Sequence, residues 1–229
     1  MKKIISLFQR NYETDRLVRD EVVPGAEWVI AGEGVATRKW DGVCTLIRDG
    51  KLYKRFEAKD EHFVGTKKLP DTWEPSDERD PTTGKQMGWV LVDEQNAKSE
   101  DRFMLEALHN TFGNRHRDGG TYEFVGPKSH GNVEQYWQHR LVRHGGAVVN
   151  DAPHTFAELR GYFIDRDIEG IVWHHPDGRM VKIKARDFGI RRAKHIRFHI
   201  GLLEAHGENQ SKRLRHPTCE AKIDLGPLV

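Results

Sequence analysis

Two pairs of alternating apolar and polar segments, each joined through an Asp-Gly dipeptide, constrain the fold of this chain most. The first pair is 43–48 and 51–56 around Asp49-Gly50, and the second is 168–174 and 179–184 around Asp177-Gly178. Alternation with a period of two is typical of strands, and Asp-Gly favours the turns that join antiparallel neighbours. The sequence therefore predicts antiparallel sheets built on two hairpins.

A lysine lies just before the first hairpin, in the segment 36–42, ATRKWDG. Lys39 is followed by a carboxylate, Asp41, and by Gly42. We interpret Lys39 as a nucleophile that attacks the α-phosphate of a nucleotide and carries the nucleotidyl group as a covalent adduct. An extended segment places Lys39 and Asp41 on one face, with Arg55 or Lys54 returning beside them. Average residue usage puts a Lys-x-Asp-Gly motif in about one chain in twenty of this length by chance, so the motif alone is weak.

Size and composition favour one large domain. The chain has 229 residues, of which 37% are hydrophobic and 31% charged, enough for a sizeable core. No apolar run approaches the roughly 20 residues of a membrane span. The apolar run 4–8 is too short for a signal peptide, so a cytoplasmic protein is predicted. Cys44 and Cys219 are too few for a disulfide framework or a cysteine zinc site, and Cys44 is expected to pack as a small strand residue.

The charge of the chain is unevenly distributed. Residues 179–229 carry a net charge of +7, so the remainder carries −5 within a total of +2. A basic end suits a polyanion such as nucleic acid, although a solvated helical face would have the same composition. We predict an extension over 188–229 that is helical around Ile190–His206 and partly ordered beyond Gly207.

The remaining helices, strands and loops are predicted from the spacing of apolar residues and from the positions of proline, glycine and helix-capping residues. Residues 57–88 have loop composition, 88–92 form a strand, and a helix follows Ser99 with core positions at helical spacing. A second helix is capped by Thr155. His174 and His175 are assigned to the turn and the surface, because adjacent strand residues point to opposite faces and cannot easily bind one metal ion.

Glu123, Lys182 and Lys184 are charged residues in predicted strands that could belong to a binding site. Glu123 lies in the β-rich run 121–126, where it is either an outward-facing residue or a buried carboxylate with a specific role. Lys182 and Lys184 alternate with Val181 and Ile183, so the lysines share a face, about 7 Å apart. Such a pair contacts one polyphosphate or is solvated at an exposed edge.

The order of these signals resembles the covalent nucleotidyltransferase superfamily of ATP-dependent DNA ligases, RNA ligases and mRNA capping enzymes. The similarity covers residues 28–187, and the segments that match motifs I, Ia, III, IV and V are Lys39–Gly42, Arg55, Glu123, Glu169–Val172 and Lys182–Lys184. The run 168–174 with Asp177-Gly178 and Lys182 after it, and the segments 83–84 and 88–90, are similar to the human-type 5′-3′ RNA ligase and its phage and bacterial relatives. DNA ligases commonly have an arginine shortly after the glycine of motif I, and Val43–Thr45 contain none. The resemblance therefore implies that Arg55 acts in place of that arginine. About 40 residues follow motif V, too few for an OB domain.

The resemblance implies an α+β fold: a nucleotidyltransferase, or ATP-grasp-like, domain over 1–187, of twisted antiparallel sheets flanked by helices, without an OB domain. It implies that Lys39, Glu169 and Lys182 are catalytic. It assigns Arg55 and Lys182 to the α-phosphate, Lys184 to nearby phosphates and Glu123 to the ribose hydroxyls. Asp41 belongs to the nucleotide site as a support that orients it. Adenine is expected to stack on apolar side chains near the sheet, Val142 or Val172.

The implied reaction uses ATP and Mg²⁺, with Mn²⁺ as a substitute and Glu169 as the metal ligand. Lys39 takes AMP from ATP, AMP passes to an RNA 5′-phosphate, and a 3′-hydroxyl then displaces it. The partner is therefore RNA with 5′-phosphate and 3′-hydroxyl ends. Two alternatives remain open from the residues alone. The first is a minimal DNA nick ligase, and the second is a non-catalytic nucleic-acid-binding module in which Lys39, Lys182 and Lys184 only contact phosphates.

Overall fold

Twelve strands and four α-helices lie within residues 4–95 and 101–192, which are the residues that the computed structural model describes. The strands are β1 (Ile5–Ser6), β2 (Phe8–Arg10), β3 (Val18–Val22), β4 (Val35–Lys39), β5 (Val43–Arg48), β6 (Lys51–Ala58), β7 (Glu74–Pro75), β8 (Gln86–Leu91), β9 (Gly120–Val125), β10 (Arg140–Arg143), β11 (Gly170–His174) and β12 (Met180–Lys184). The helices are α1 (Glu27–Ile30), α2 (Asp60–Phe63), α3 (Asp101–Phe112) and α4 (Phe156–Ile164). None of these helices has the length and apolar character needed to cross a membrane. The described residues thus form an α+β fold dominated by sheets, as predicted.

A four-stranded sheet carries the second predicted hairpin. Its order is β1-β12-β11-β4, with β1 parallel to β12 and the other pairs antiparallel. Leu159 of α4 is buried in the core beside this sheet, together with Val181 and Ile183 of β12. Alternation along β12 therefore leaves Lys182 and Lys184 on the opposite face. The shared face predicted for the two lysines is confirmed.

A six-stranded antiparallel sheet carries the first hairpin. Its order is β10-β9-β5-β6-β8-β7, and α3 contributes Met104 and Leu108 to the core beside it. At the β5–β6 turn the φ angles of Asp49 and Gly50 are 51° and 70°. Both residues thus occupy the left-handed region that a two-residue type I′ turn requires. The predicted Asp-Gly hairpin is confirmed here.

The segment 57–88, predicted as a loop, has more structure than its composition indicates. It contains the end of β6, the short helix α2 and the edge strand β7. Arg79 ion-pairs with Asp60 and lies 4.4 Å from the centroid of the Phe63 ring. Pro75 in β7 is tolerated because an edge strand needs fewer ladder hydrogen bonds. The loop prediction was therefore wrong in part.

The compact unit that contains both sheets extends beyond residue 187. The described residues of this unit continue to residue 192. Phe188 is buried in the core beside the four-stranded sheet, and Ile190 packs against that core. The helix predicted over Ile190–His206 lies outside the described residues except for 190–192, which are not helical.

Candidate active site

A cavity of about 630 Å³ is lined by residues from both large sheets. Its volume lies within the range of about 300–1,000 Å³ that is usual for small-molecule sites. β4, β11 and β12 line it from the four-stranded sheet, and β5, β6 and β9 from the six-stranded sheet. Five of the predicted site residues are among its lining: Lys39, Arg55, Glu123, Lys182 and Lys184.

Two lysines on the cavity wall share one carboxylate. Lys39 Nζ donates to Glu169 Oε2 and Lys184 Nζ donates to Glu169 Oε1, each at 2.6 Å. Strand register explains the arrangement, because Gly170 of β11 pairs with Lys39 of β4 on one side and with Lys184 of β12 on the other. Glu169, directly before β11, is thereby placed between the two amines.

Gly170 is the residue that allows this close strand packing. A Cβ atom at Gly170 would lie 2.2 Å from the carbonyl oxygen of Ile183, a distance that real Cβ atoms essentially never show. The backbone of β12 therefore approaches β11 at this point only because residue 170 has no side chain. Glycine is thus required at residue 170 for steric reasons, whereas the carboxylate of Glu169, directly before it, contacts the two amines.

Two further cations in the cavity have no acidic partner among the described residues. The side chains of Lys182 and Arg55 both line it and make no hydrogen bond or ion pair within the described part of the chain. Burial lowers the pKa of Lys182 to about 8, and the charges of Lys184 and Lys39 add to this effect. Partly buried cations that lack an acid are stabilised by a bound anion. The cavity is therefore suited to an anionic ligand.

Glu123 is a buried carboxylate and not an outward-facing strand residue, since its relative exposure is 6%. Its Oε1 accepts a hydrogen bond from the Gly42 backbone N–H at 2.9 Å, and its Oε2 lies 2.8 Å from His144 Nε2. Gly42 is needed for this contact, because a Cβ there would lie 2.1 Å from the carbonyl oxygen of Phe124. Glu123 thus fixes the backbone at Gly42, three residues after Lys39.

Asp41 is not among the residues that line the cavity, because β4 ends at Lys39 and the chain turns there. Its Oδ1 lies 2.8 Å from His130 Nδ1, and this contact lowers the pKa of Asp41 and raises that of His130. Its backbone N–H donates to Glu134 Oε1 at 2.9 Å. Residues 40–42 lie outside the strands, so the condition under which Lys39 and Asp41 would share one extended face is not met.

Glu134 is the centre of an ion-pair network that anchors this loop. Its side chain, 1% exposed, accepts hydrogen bonds from Arg38 at 2.6 Å and Arg192 at 2.9 Å. Arg192 also donates to Asp167 Oδ1 at 3.0 Å and to the carbonyl oxygens of Val133 and Asp167. Neither Glu134 nor Arg192 was predicted, and ion pairs so distant in sequence leave no local pattern that would identify them.

His174 was assigned to the turn and surface, which was wrong. It is the last residue of β11, is half-buried, and its Nε2 lies 3.0 Å from Thr37 Oγ1 in the cavity wall. Burial lowers the pKa of His174. Period-two counting from Val172, which also lines the cavity, would have placed His174 on this face. Val142, the alternative to Val172 as a stacking residue, is not among the lining residues.

A larger cavity of about 1040 Å³ lies beside the first and shares Arg55 with it. Its lining includes Val43 and Phe124, whose side chains point to the sheet face opposite to those of Cys44 and Glu123. It does not contain the lysine cluster, and its Lys54 is ion-paired with Asp101. We therefore take the smaller cavity as the candidate site.

The smaller cavity combines three features: an amine that contacts a carboxylate, two cations without an acidic partner in the described part of the chain, and a buried carboxylate that accepts hydrogen bonds. Phosphate oxygens match the cations, and hydroxyl groups match the carboxylate. A nucleoside polyphosphate offers both kinds of group in one molecule. No protein-family model matches the chain, and no curated protein matches it either.

Proposed function

We propose that this protein is an ATP-dependent RNA ligase of the covalent nucleotidyltransferase type, which joins RNA 5′-phosphate and 3′-hydroxyl ends. The observation that supports it most is the contact of Lys39 Nζ with Glu169 Oε2 at 2.6 Å. Lys39 lines a cavity that also holds Arg55 and Lys182, two cations whose side chains have no acidic partner among the described residues. An amine that is to attack phosphorus must lose a proton, and here its hydrogen-bond acceptor is a carboxylate. The matching order of motifs supports the choice of this superfamily.

In the first step, Lys39 Nζ attacks the α-phosphorus of ATP. An N–P bond forms, the bond from the α-phosphorus to the bridging oxygen breaks, and pyrophosphate leaves. The proton of Lys39 passes to Glu169, and Lys184 on the other carboxylate oxygen keeps Glu169 oriented.

Arg55 and Lys182 bind the phosphate oxygens in this proposal, since neither has an acidic partner among the described residues. In-line phosphoryl transfer depends mostly on positioning and charge neutralisation, which such cations provide. Glu123 binds the ribose hydroxyls through lone pairs that its contacts to Gly42 and His144 leave available.

The proposal includes Mg²⁺, for which Glu169 is the ligand on the protein. Each Glu169 oxygen contacts one lysine and retains a further lone pair, so the residue fits this role. The ion would neutralise charge on the triphosphate oxygens and keep most of its waters.

The later steps restore Lys39. An oxygen of an RNA 5′-phosphate attacks the adenylyl phosphorus, the N–P bond breaks, and a 5′-5′ pyrophosphate linkage forms. A 3′-hydroxyl then attacks the 5′-phosphate and gives its proton to water. The P–O bond to AMP breaks, a phosphodiester forms, and AMP leaves. The preference for RNA over DNA comes from the motif resemblance.

Incubation with Mg²⁺ and α-labelled ATP tests the proposal. We expect an acid-labile protein adduct that Lys39→Ala abolishes, and that Lys51→Ala, a change at an exposed lysine, does not affect. Labelling of Lys39→Ala at the wild-type level would refute the proposal. Sealing of matched RNA and DNA ends by the adenylylated protein then distinguishes an RNA ligase from a DNA nick ligase.

A further inference from the structure

Cys44, Glu123 and His144 bring three different metal-ligating groups together in the wall of the cavity. One ligating atom from each residue lies within 4.8 Å of those of the other two. Strand pairing places them there, because Cys44 of β5 is the direct partner of Glu123 of β9, and His144 N bonds to Thr121 O of the same strand. The cluster is therefore fixed by the six-stranded sheet.

The polar groups of this cluster are incompletely satisfied in the described residues. His144 Nε2 contacts Glu123 Oε2, whereas His144 Nδ1 is buried and has no hydrogen-bond partner there. A cation that both residues ligate therefore binds His144 through Nε2, the nitrogen next to the carboxylate, and takes the place of the direct contact between them.

We infer that Cys44, Glu123 and His144 bind a thiophilic divalent cation of the Zn²⁺ class. A thiolate, an imidazole and a carboxylate are the three protein ligands that Zn²⁺ accepts, with water in the fourth position. Mg²⁺ and Ca²⁺ prefer oxygen ligands only and are not expected here. On binding, the Cys44 S–H bond breaks, a metal–sulfur bond forms, and the proton passes to the buffer.

The position of this cluster gives the bound cation a regulatory effect, which rests on the proposed function. Glu123 and Cys44 line the same cavity as Lys39, and Glu123 is the residue assigned to the ribose hydroxyls. A cation held by Glu123 occupies that carboxylate and excludes the nucleotide. Zn²⁺ is therefore an inhibitor of adenylylation that acts apart from the Mg²⁺ position at Glu169.

Zn²⁺ binding to the full chain, measured without nucleotide by competition with a chromogenic chelator, tests the site. We expect binding to weaken at least about tenfold in Cys44→Ser and in His144→Gln. Cys219→Ser, the matched change at the second cysteine, is expected to bind as wild type does. Equal affinity of wild type and Cys44→Ser would refute the site.

Co²⁺ gives a second readout that does not depend on a variant folding. The wild-type protein is expected to show a thiolate-to-cobalt charge-transfer band, and absence of this band would also refute the inference. For inhibition, labelling by ATP is compared at a free Zn²⁺ concentration fixed by a metal buffer. It is expected to fall in wild type and not in Cys44→Ser. Binding of Zn²⁺ by a protein that forms no adduct would refute the ligase proposal alone.

Discussion

Lys39 and Glu169, which are 130 positions apart in sequence, meet at 2.6 Å between Nζ and Oε2. Replacement of Glu169 by Gln keeps the size of the side chain and removes its charge. We expect adduct formation to fall by about 100-fold or more, because the acceptor for the Lys39 proton is lost. The control is Glu13→Gln, at an exposed position. Labelling of Glu169→Gln within threefold of wild type would exclude Glu169 as the proton acceptor.

The partly buried charge of Lys182 is predicted to lower the free energy of unfolding. Its pKa is lowered from 10.5 to about 8, mainly by burial. The unfolded state therefore holds the proton more tightly, so the cost to stability is complete below about pH 8 and disappears as the pH rises towards 10.5. Lys182→Met should raise the free energy of unfolding by about 1–2 kcal/mol at neutral pH, and less at about pH 9.5.

Urea denaturation at the two pH values measures this effect, with Lys51→Met as the control at an exposed lysine. The control should change stability by less than about 0.5 kcal/mol. Adduct formation by Lys182→Met should be lost even though the protein is more stable. A Lys182→Met protein less stable than wild type at neutral pH would contradict the assignment of a buried, unpaired charge.

Gly170→Ala should be strongly destabilising, since its Cβ would lie 2.2 Å from the Ile183 carbonyl oxygen. We expect a loss of about 2–4 kcal/mol in the free energy of unfolding. Gly161→Ala in α4 is the matched control, because a Cβ there meets nothing within 4 Å. It should stabilise the protein by about 0.5–1 kcal/mol. Similar unfolding midpoints for the two variants would show that β11 and β12 separate at little cost.

The His130–Asp41 contact should make stability depend on pH. The Asp41 carboxylate raises the pKa of His130 above its ordinary value of 6.5. The contribution of protonated His130 is therefore complete below about pH 6.5 and is lost as the pH rises through the raised pKa. We expect wild type to lose more stability than His130→Gln between about pH 6 and pH 8.5 in urea denaturation. Parallel curves for the two proteins would contradict this.

Much of the fold was predictable because its signals are local. The turn at Asp49-Gly50 and the alternation of Val181 and Ile183 depend on residues close in sequence, and both predictions are confirmed. The clustering of Lys39, Lys182 and Lys184 in one cavity follows from strand register, which periodicity and the hairpin turns largely determine.

The ion pairs that anchor the loop beside Lys39 were not predictable in the same way. Glu134 and Arg192 lie in irregular segments, and their partners Arg38 and Asp41 are far away in sequence. A charge on a loop is usually solvated, so composition alone gives no reason to bury it. His174 was misplaced for a different reason. That adjacent strand residues cannot easily bind one metal ion does not place both of them at the surface, and β11 continues through residue 174.

Arg192 also determines when the site can be completed during synthesis. Its guanidinium joins Glu134 and Asp167 to the loop that carries Asp41. Residues 38–41 leave the ribosome long before residue 192, so this loop must wait for most of the chain before its final ion pairs can form. A released chain that ends before residue 192 should therefore have the hairpins in place, while the loop beside Lys39 lacks the ion pairs of Arg192.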